Sequence, residues 1–169
     1  MGYKIQLNDA KKGYTYDQDK IMSPSETVKR FKERTATLNL DILSQTRRID
    51  NGRLDIPVFF SECGTDAKRV TGTNKQMGKG GTPEQSEASA VMELAERFSF
   101  FSFVNKEDNF ITATPAELGD KGLAFDQIIK SVHDKREDAL KIKPIFDQLP
   151  LKWTKGYNLT RKKEVLIPF

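Results

Sequence analysis

Residues Gly78 to Phe103 read GKGGTPEQSEASAVMELAERFSFFSF. A glycine-rich turn opens the stretch, Thr82 and Pro83 supply a helix start, and about twenty residues follow with no further Gly or Pro. The pattern predicts a helix over 83–103. Wound at ~100° per residue, it places Val91, Leu94, Ala95, Phe98 and Phe101 on one side, with Ala88 and Met92 at its margin. Ser86, Ser89, Glu93, Glu96 and Arg97 fall on the opposite side, which is expected to face solvent. Glu93 and Glu96 stand three apart, so their carboxylates leave one face about a turn from each other. Two acids so placed repel unless a cation sits between them. Hard divalent cations such as Mg2+ take carboxylate and phosphate oxygens, so the pair suits a metal-nucleotide site. Arg97, four after Glu93, is placed to neutralise it or to reach a phosphate. The same Glu-x-x-Glu-Arg spacing is also common on ordinary solvated helix faces, so spacing alone does not decide between the two.

Working outward, Ser23, Pro24 and Glu26 open a helix near residue 24, with Val28, Phe31 and Leu38 as its inward side. Its Lys29, Arg30, Lys32 and Arg34 read as a solvated basic face. ILSQTRRID and IPVFFSEC are strand-like and are separated by the turn signal Asn51-Gly52, which predicts a hairpin or meander. Thr46, Arg47 and Arg48 either line a groove there or make cross-strand pairs. A third strand is expected over 67–73, and a short one around Tyr3, Ile5 and Leu7.

Gly72 to Gly80 invites comparison with a phosphate loop. The comparison fails, because five residues rather than four separate Gly72 from Gly78 and Gly80 follows Lys79 where Ser or Thr is needed. What survives is a flexible turn ahead of a helix N-terminus, with Lys75 and Lys79 as possible anion contacts or plain surface charge.

Beyond the long helix, Phe98, Phe100, Phe101 and Phe103 crowd its end and read as core or interface. Thr114-Pro115-Ala116-Glu117 starts a short helix. Residues 125–149 read as two amphipathic helices with Ile128, Ile129, Val132, Leu140, Ile145 and Phe146 as apolar faces and His133 at the surface. Trp153 and Val165-Leu166-Ile167-Pro168-Phe169 belong to two further strands.

The whole stretch, with its upstream chain, resembles the YcaO-domain family. The Gly-Lys-Gly turn followed by Ser89-Ala90-x-x-Glu93-x-x-Glu96-Arg97 resembles that family's first nucleotide-binding helix. Lys20 with Ser23-Pro24-Ser25-Glu26-Thr27 resembles its "R-x-x-x-P-x-x-T" opening, and Thr46-Arg47-Arg48 and Asp55-Ile56-Pro57-Val58 its next landmarks. Trp153, Asn158-Leu159-Thr160 and Glu164 to Pro168 are similar to the segment leading into its second half. The resemblance implies an ATP- and Mg2+-dependent enzyme that phosphorylates a backbone amide oxygen of a peptide or protein. A nucleophile then replaces that oxygen: a Cys, Ser or Thr side chain gives an azoline, sulfide a thioamide, an amine an amidine. Glu93 and Glu96 would be Mg2+ ligands, and Ser89, Arg97, Lys79 and Lys20 nucleotide contacts. Lys20 departs from the family's Arg, and an ammonium does not reproduce a bidentate guanidinium contact. No residue is singled out as directly catalytic.

The resemblance further implies that residues 1–169 are the N-terminal part of a single YcaO-like domain, ending before the second acid pair and phosphate-binding arginine. On that reading the chain alone is expected to be inactive, to expose apolar surface and to self-associate. A partner protein for substrate or sulfur delivery is also implied. The rival expectation is a non-catalytic peptide-binding or scaffold half-domain.

Composition sets outer bounds. The 169 residues suffice for a substantial core, and 37% hydrophobic with 31% charged residues fits a globular chain. A net charge of +4 gives weak grounds for nucleic-acid binding. One Cys and one His exclude a disulfide framework and a Cys/His zinc cluster; Cys63 reads as a buried strand residue. The charged N-terminus does not read as a signal peptide and no apolar run is long enough to span a bilayer, so the cytoplasm and no membrane association are expected. The fold expected is α+β: an antiparallel or mixed sheet with the 83–103 helix packed on it.

Overall fold

A computed structural model describes residues 6–11, 20–131 and 141–169. The expected strand at Tyr3 to Leu7 falls largely outside them, as do Val132, His133 and Leu140. The chain divides into two compact units, Ile5–Asn105 and one built on Lys106–Phe169.

In the first unit, α1 (Pro24–Thr37) is capped by Ser23, whose side chain accepts from the Glu26 amide, with Pro24 in the first turn. Strands β1 (Leu43–Arg48), β2 (Val58–Cys63) and β3 (Lys75–Lys79) form an antiparallel sheet in that order. The β1–β2 connection is held by Asp50, whose carboxylate accepts from the Arg48 guanidinium at 2.7 Å and the Val58 amide at 3.1 Å. Those bonds hold its carboxyl well below the usual carboxylate range.

Residues Thr65–Thr71 form a helix, α2, which corrects the strand expected over 67–73. The reason is local. Asp41 accepts from the Thr65 amide at 2.8 Å while Asp66 accepts from the Asp41 amide at 2.9 Å, and this reciprocal clamp starts a helical turn. Gly72, at φ 68°, ends it in the left-handed conformation. Strand pairing therefore begins only at Lys75. Gly78 and Lys79, expected in a turn, lie in β3, and only Gly80 and Gly81 remain to turn the chain into the next helix.

That helix, α3 (Pro83–Val104), lies against β2 and β3 and also packs on α1. Its buried residues are Ser86, Ala90, Val91 and Leu94. Ser86 was expected to face solvent, and its burial has a physical cause. The backbone of Gly78 runs directly under the helix, and a Cβ there would lie 2.1 Å from the Ala90 nitrogen and 2.5 Å from the Ser86 carbonyl. Only small side chains fit such an approach. Ser86 donates to the Pro57 carbonyl and Ser61 to the Ala90 carbonyl at 2.8 Å, so the buried hydroxyls are satisfied. Ile42, Cys63, Ala67 and Leu94 form the core beside this contact, with Phe31 and Phe98 packed against it. Burial pushes the Cys63 thiol up, which suits a strand residue rather than a nucleophile. Leu38 lies past α1 and is exposed rather than inward. At the end of α3, Phe98 and Phe101 are half-buried, whereas Phe100 and Phe103 are exposed rather than core.

In the second unit, β4 (Ile111–Ala113), β5 (Leu151–Asn158) and β6 (Lys163–Pro168) form another antiparallel sheet in that order. The paired strands of both sheets are antiparallel, and Gly122 adds an isolated parallel bridge to Leu166 on β6. Trp153 is fully buried, and its indole N–H donates to the Ala113 carbonyl at 2.8 Å. Helix α4 (Pro115–Leu118) opens on a capping box made by Thr114 and Glu117. Helices α5 (Phe125–Ser131) and α6 (Lys143–Gln148) meet through Phe125 and Phe146, with ring centroids 5.0 Å apart. Ile145, expected on the apolar face, is exposed.

Candidate functional site

The groove between α1 and α3 gathers two of the residues that the sequence singles out, Lys20 and Ser89. A cavity of about 870 Å3 opens there, lined by Lys20, Ile21, Thr27 and Arg30 on one side and Ser89 and Met92 on the other. Apolar atoms make up most of its wall. Farther along α3, a second cleft of about 490 Å3 is lined by Ser89, Met92, Glu93, Glu96 and Ser99. Ser89 and Met92 belong to both, so the apolar cavity and the acidic cleft are continuous along one helix face.

Why α3 presents these groups follows from its seat on the sheet. The stripe of Ser86, Ala90 and Leu94 is pressed inward, and the helical period then turns Ser89 toward the α1 cavity and Ser89, Glu93 and Glu96 together into a cleft on the surface of α3. The helix start is fully furnished. Thr82 accepts from the Gln85 amide at 3.2 Å, the Gln85 side chain accepts from the Gly81 amide at 2.9 Å, and Glu84 is held below its usual range by its own amide and by Thr82. These bonds occupy the first amides of the helix.

Glu93 accepts from the Arg97 guanidinium at 2.7 Å with both side chains well exposed. An exposed pair at this spacing is worth only ~0.3–0.5 kcal/mol, so it neutralises Glu93 without locking it. Among the described residues, no group of three or more His, Cys, Asp or Glu side chains converges to hold a metal. Two carboxylates on one face fit Mg2+ in the mode where one or two protein acids share the ion with substrate phosphates and water.

Lys20, Ser89, Glu93, Glu96 and Arg97 thus lie along one groove or touch its lining groups. Lys79 ends β3 opposite Val58 and lines neither cleft. Thr46 donates to Glu87 on α3 at 2.7 Å and Arg48 pairs with Asp50, so their roles are structural. Arg30 is exposed, as expected of the basic face of α1, and it also lines the cavity. The available signal was its place three residues, about one turn, after Thr27 on the same helix.

Comparison with known proteins gives the family and the fold. A family model described as YcaO cyclodehydratase, ATP- and Mg2+-binding, matches residues 77–169, more than half of the chain. An uncharacterized protein from Methanothermobacter thermautotrophicus is 31% identical over 151 residues, covering 86% of this chain and 33% of that protein. The fold is similar to YcaO from Methanopyrus kandleri bound with AMPPCP and Mg2+, at TM-score 0.51 and 18% identity over 88% of this chain and 32% of that one. It is also similar to a heterocyclase in complex with substrate and cofactor, at TM-score 0.58 and 21% identity over 97% of this chain and 23% of that one. The chain spans about a third or less of the length of these relatives. Among the described residues, no helix is long and apolar enough to cross a membrane. With α3 carrying the acid pair on an antiparallel sheet and more than half of the sequence matched, the chain belongs to the YcaO family.

Proposed function

We propose that this chain forms the N-terminal part of a YcaO domain and supplies one side of the Mg2+-ATP site of an enzyme that activates a backbone amide of a peptide or protein. The observation that carries this is the continuity, through Ser89, of the α1–α3 cavity with the cleft lined by Glu93 and Glu96. Family membership gives that continuity its chemical meaning.

Glu93 and Glu96 hold Mg2+, with Arg97 released from Glu93 to face phosphate oxygens. Ser89 and Lys20 contact the nucleotide, and the apolar wall of Ile21 and Met92 takes its base. Lys79 adds positive charge ahead of α3. Mg2+ held by Glu93 and Glu96 would supply neutralisation of charge on the transferring phosphoryl group. The amide oxygen attacks the γ-phosphorus and ADP leaves. A nucleophile then adds to the amide carbon, and the oxygen departs as phosphate. An azoline, a thioamide or an amidine results according to whether that nucleophile is a side chain, sulfide or an amine. A partner protein delivers substrate or sulfur, and copies of the chain associate through the exposed apolar surface.

The test is substrate-dependent ATP consumption by the full-length protein. Glu93→Gln and Glu96→Gln should each abolish Mg2+-ATP turnover with the fold unchanged by circular dichroism. Near-native turnover in both variants would remove the metal assignment, and peptide binding indifferent to nucleotide would favour a scaffold.

A further inference from the structure

Arg30 has no role in the site as assigned above. It stands exposed on α1, lines the cavity with Lys20 and Ser89, and also lines an adjoining cleft of about 700 Å3 with Met22, Phe31, Glu33 and Arg34. Its side chain donates to the Met22 sulfur at 3.4 Å. A thioether is a weak acceptor, and among the described residues no carboxylate lies within ion-pair distance of this guanidinium. Arg48 is held by Asp50, Arg69 by Asp66 and Arg97 by Glu93, each at 2.6–2.7 Å, and of the arginines without an ion pair among the described residues, Arg30 is the one that lines the cavity. A guanidinium resting on sulfur beside an apolar cavity keeps its five-donor fork available for an incoming anion.

We propose that Arg30 is the bidentate phosphate-binding residue of the cavity, exchanging its Met22 contact for the phosphate oxygens of a bound nucleotide. Lys20, which reaches the same cavity, supplies a point charge, whereas Arg30 supplies the planar fork that fixes the orientation of the phosphates. The inference rests on the nucleotide reading of the groove and adds to it a residue outside α3.

Isothermal titration of the full-length protein with Mg2+-ATP and with adenosine, for wild type, Arg30→Gln and Arg30→Lys, tests this. Arg30→Gln is expected to weaken Mg2+-ATP by about 10-fold or more while leaving adenosine unchanged, as loss of a charged hydrogen-bonded contact requires. Arg30→Lys is expected to fall between, since a point charge restores attraction without the fork. An equal loss for adenosine would make Arg30 a base or wall contact and overturn the phosphate role. Unchanged Mg2+-ATP affinity in a folded Arg30→Gln protein would overturn it as well, with the groove reading intact. Absence of Mg2+-ATP binding in wild type would instead remove the groove reading, and this inference with it. Thermal unfolding of each variant separates these outcomes from misfolding.

Discussion

The two units solve the same packing problem in opposite ways. Each is organised on a three-stranded antiparallel sheet. In Ile5–Asn105 the sheet meets α3 where side chains are nearly absent: Gly78 under Ser86 and Ala90, with backbone almost against backbone. In Lys106–Phe169 the sheet is anchored by a large side chain, Trp153, which fills its surroundings and is tied to Ala113. A contact built by leaving atoms out tolerates no addition, whereas one built around an indole tolerates no removal. The candidate groove is on the first unit. Close seating of α3 fixes the rotation of the helix, and that rotation aims Ser89, Glu93 and Glu96 at one cleft.

The contrast breaks most visibly at Trp153. Trp153→Ala should destabilise the second unit by ~3–5 kcal/mol, the usual range for emptying a buried aromatic site. Equilibrium denaturation followed by circular dichroism reads it, and a loss below ~1 kcal/mol would contradict the anchoring role. Gly78→Ala comes next. The added methyl meets the α3 backbone, which has no flexible end to move aside, so a loss of ~1–3 kcal/mol is expected despite the gain in strand propensity. Stability within ~0.5 kcal/mol of wild type would show that the close approach is not needed.

The smallest effect is electrostatic. The Thr65 amide and hydroxyl hold the Asp41 carboxyl below its usual range, and the Arg48 guanidinium does the same for Asp50. A depressed folded pKa stabilises above the unfolded value of about 4 and is lost as pH falls through the folded value. The first unit should therefore lose stability on acidification below about pH 4, and Asp41→Asn should flatten that limb slightly. An unchanged acid limb in the variant would remove Asp41 from the account.

Long, regular features were legible in the sequence. The cap of Thr82 and Pro83, the β1–β2 pair, the Thr114 start and the Trp153 strand all follow from local chemistry that tertiary structure left in place. The errors share a cause. Ser86 and Ala90 carry little hydrophobic signal, so periodicity could not tell that a glycine backbone would cover them. Helix α2 was hidden because its start depends on Asp41, twenty-four residues before Thr65. Lys79 read as part of a turn because Gly78 looked like loop chemistry, whereas the glycine serves close packing within a strand. Arg30 is exposed as its basic neighbours suggest, and its place beside the cavity depends on the position of α3, which its own sequence does not carry.

The most direct test of the central claim is the Mg2+ dependence of ATP binding, measured by titration calorimetry on the full-length protein and on Glu93→Gln and Glu96→Gln. Carboxylates that share Mg2+ with the phosphates should make wild-type affinity rise with added Mg2+, and each substitution should erase that rise while leaving metal-free binding unchanged. A Mg2+ response of wild-type size in both variants would contradict the assignment of the α3 acid pair.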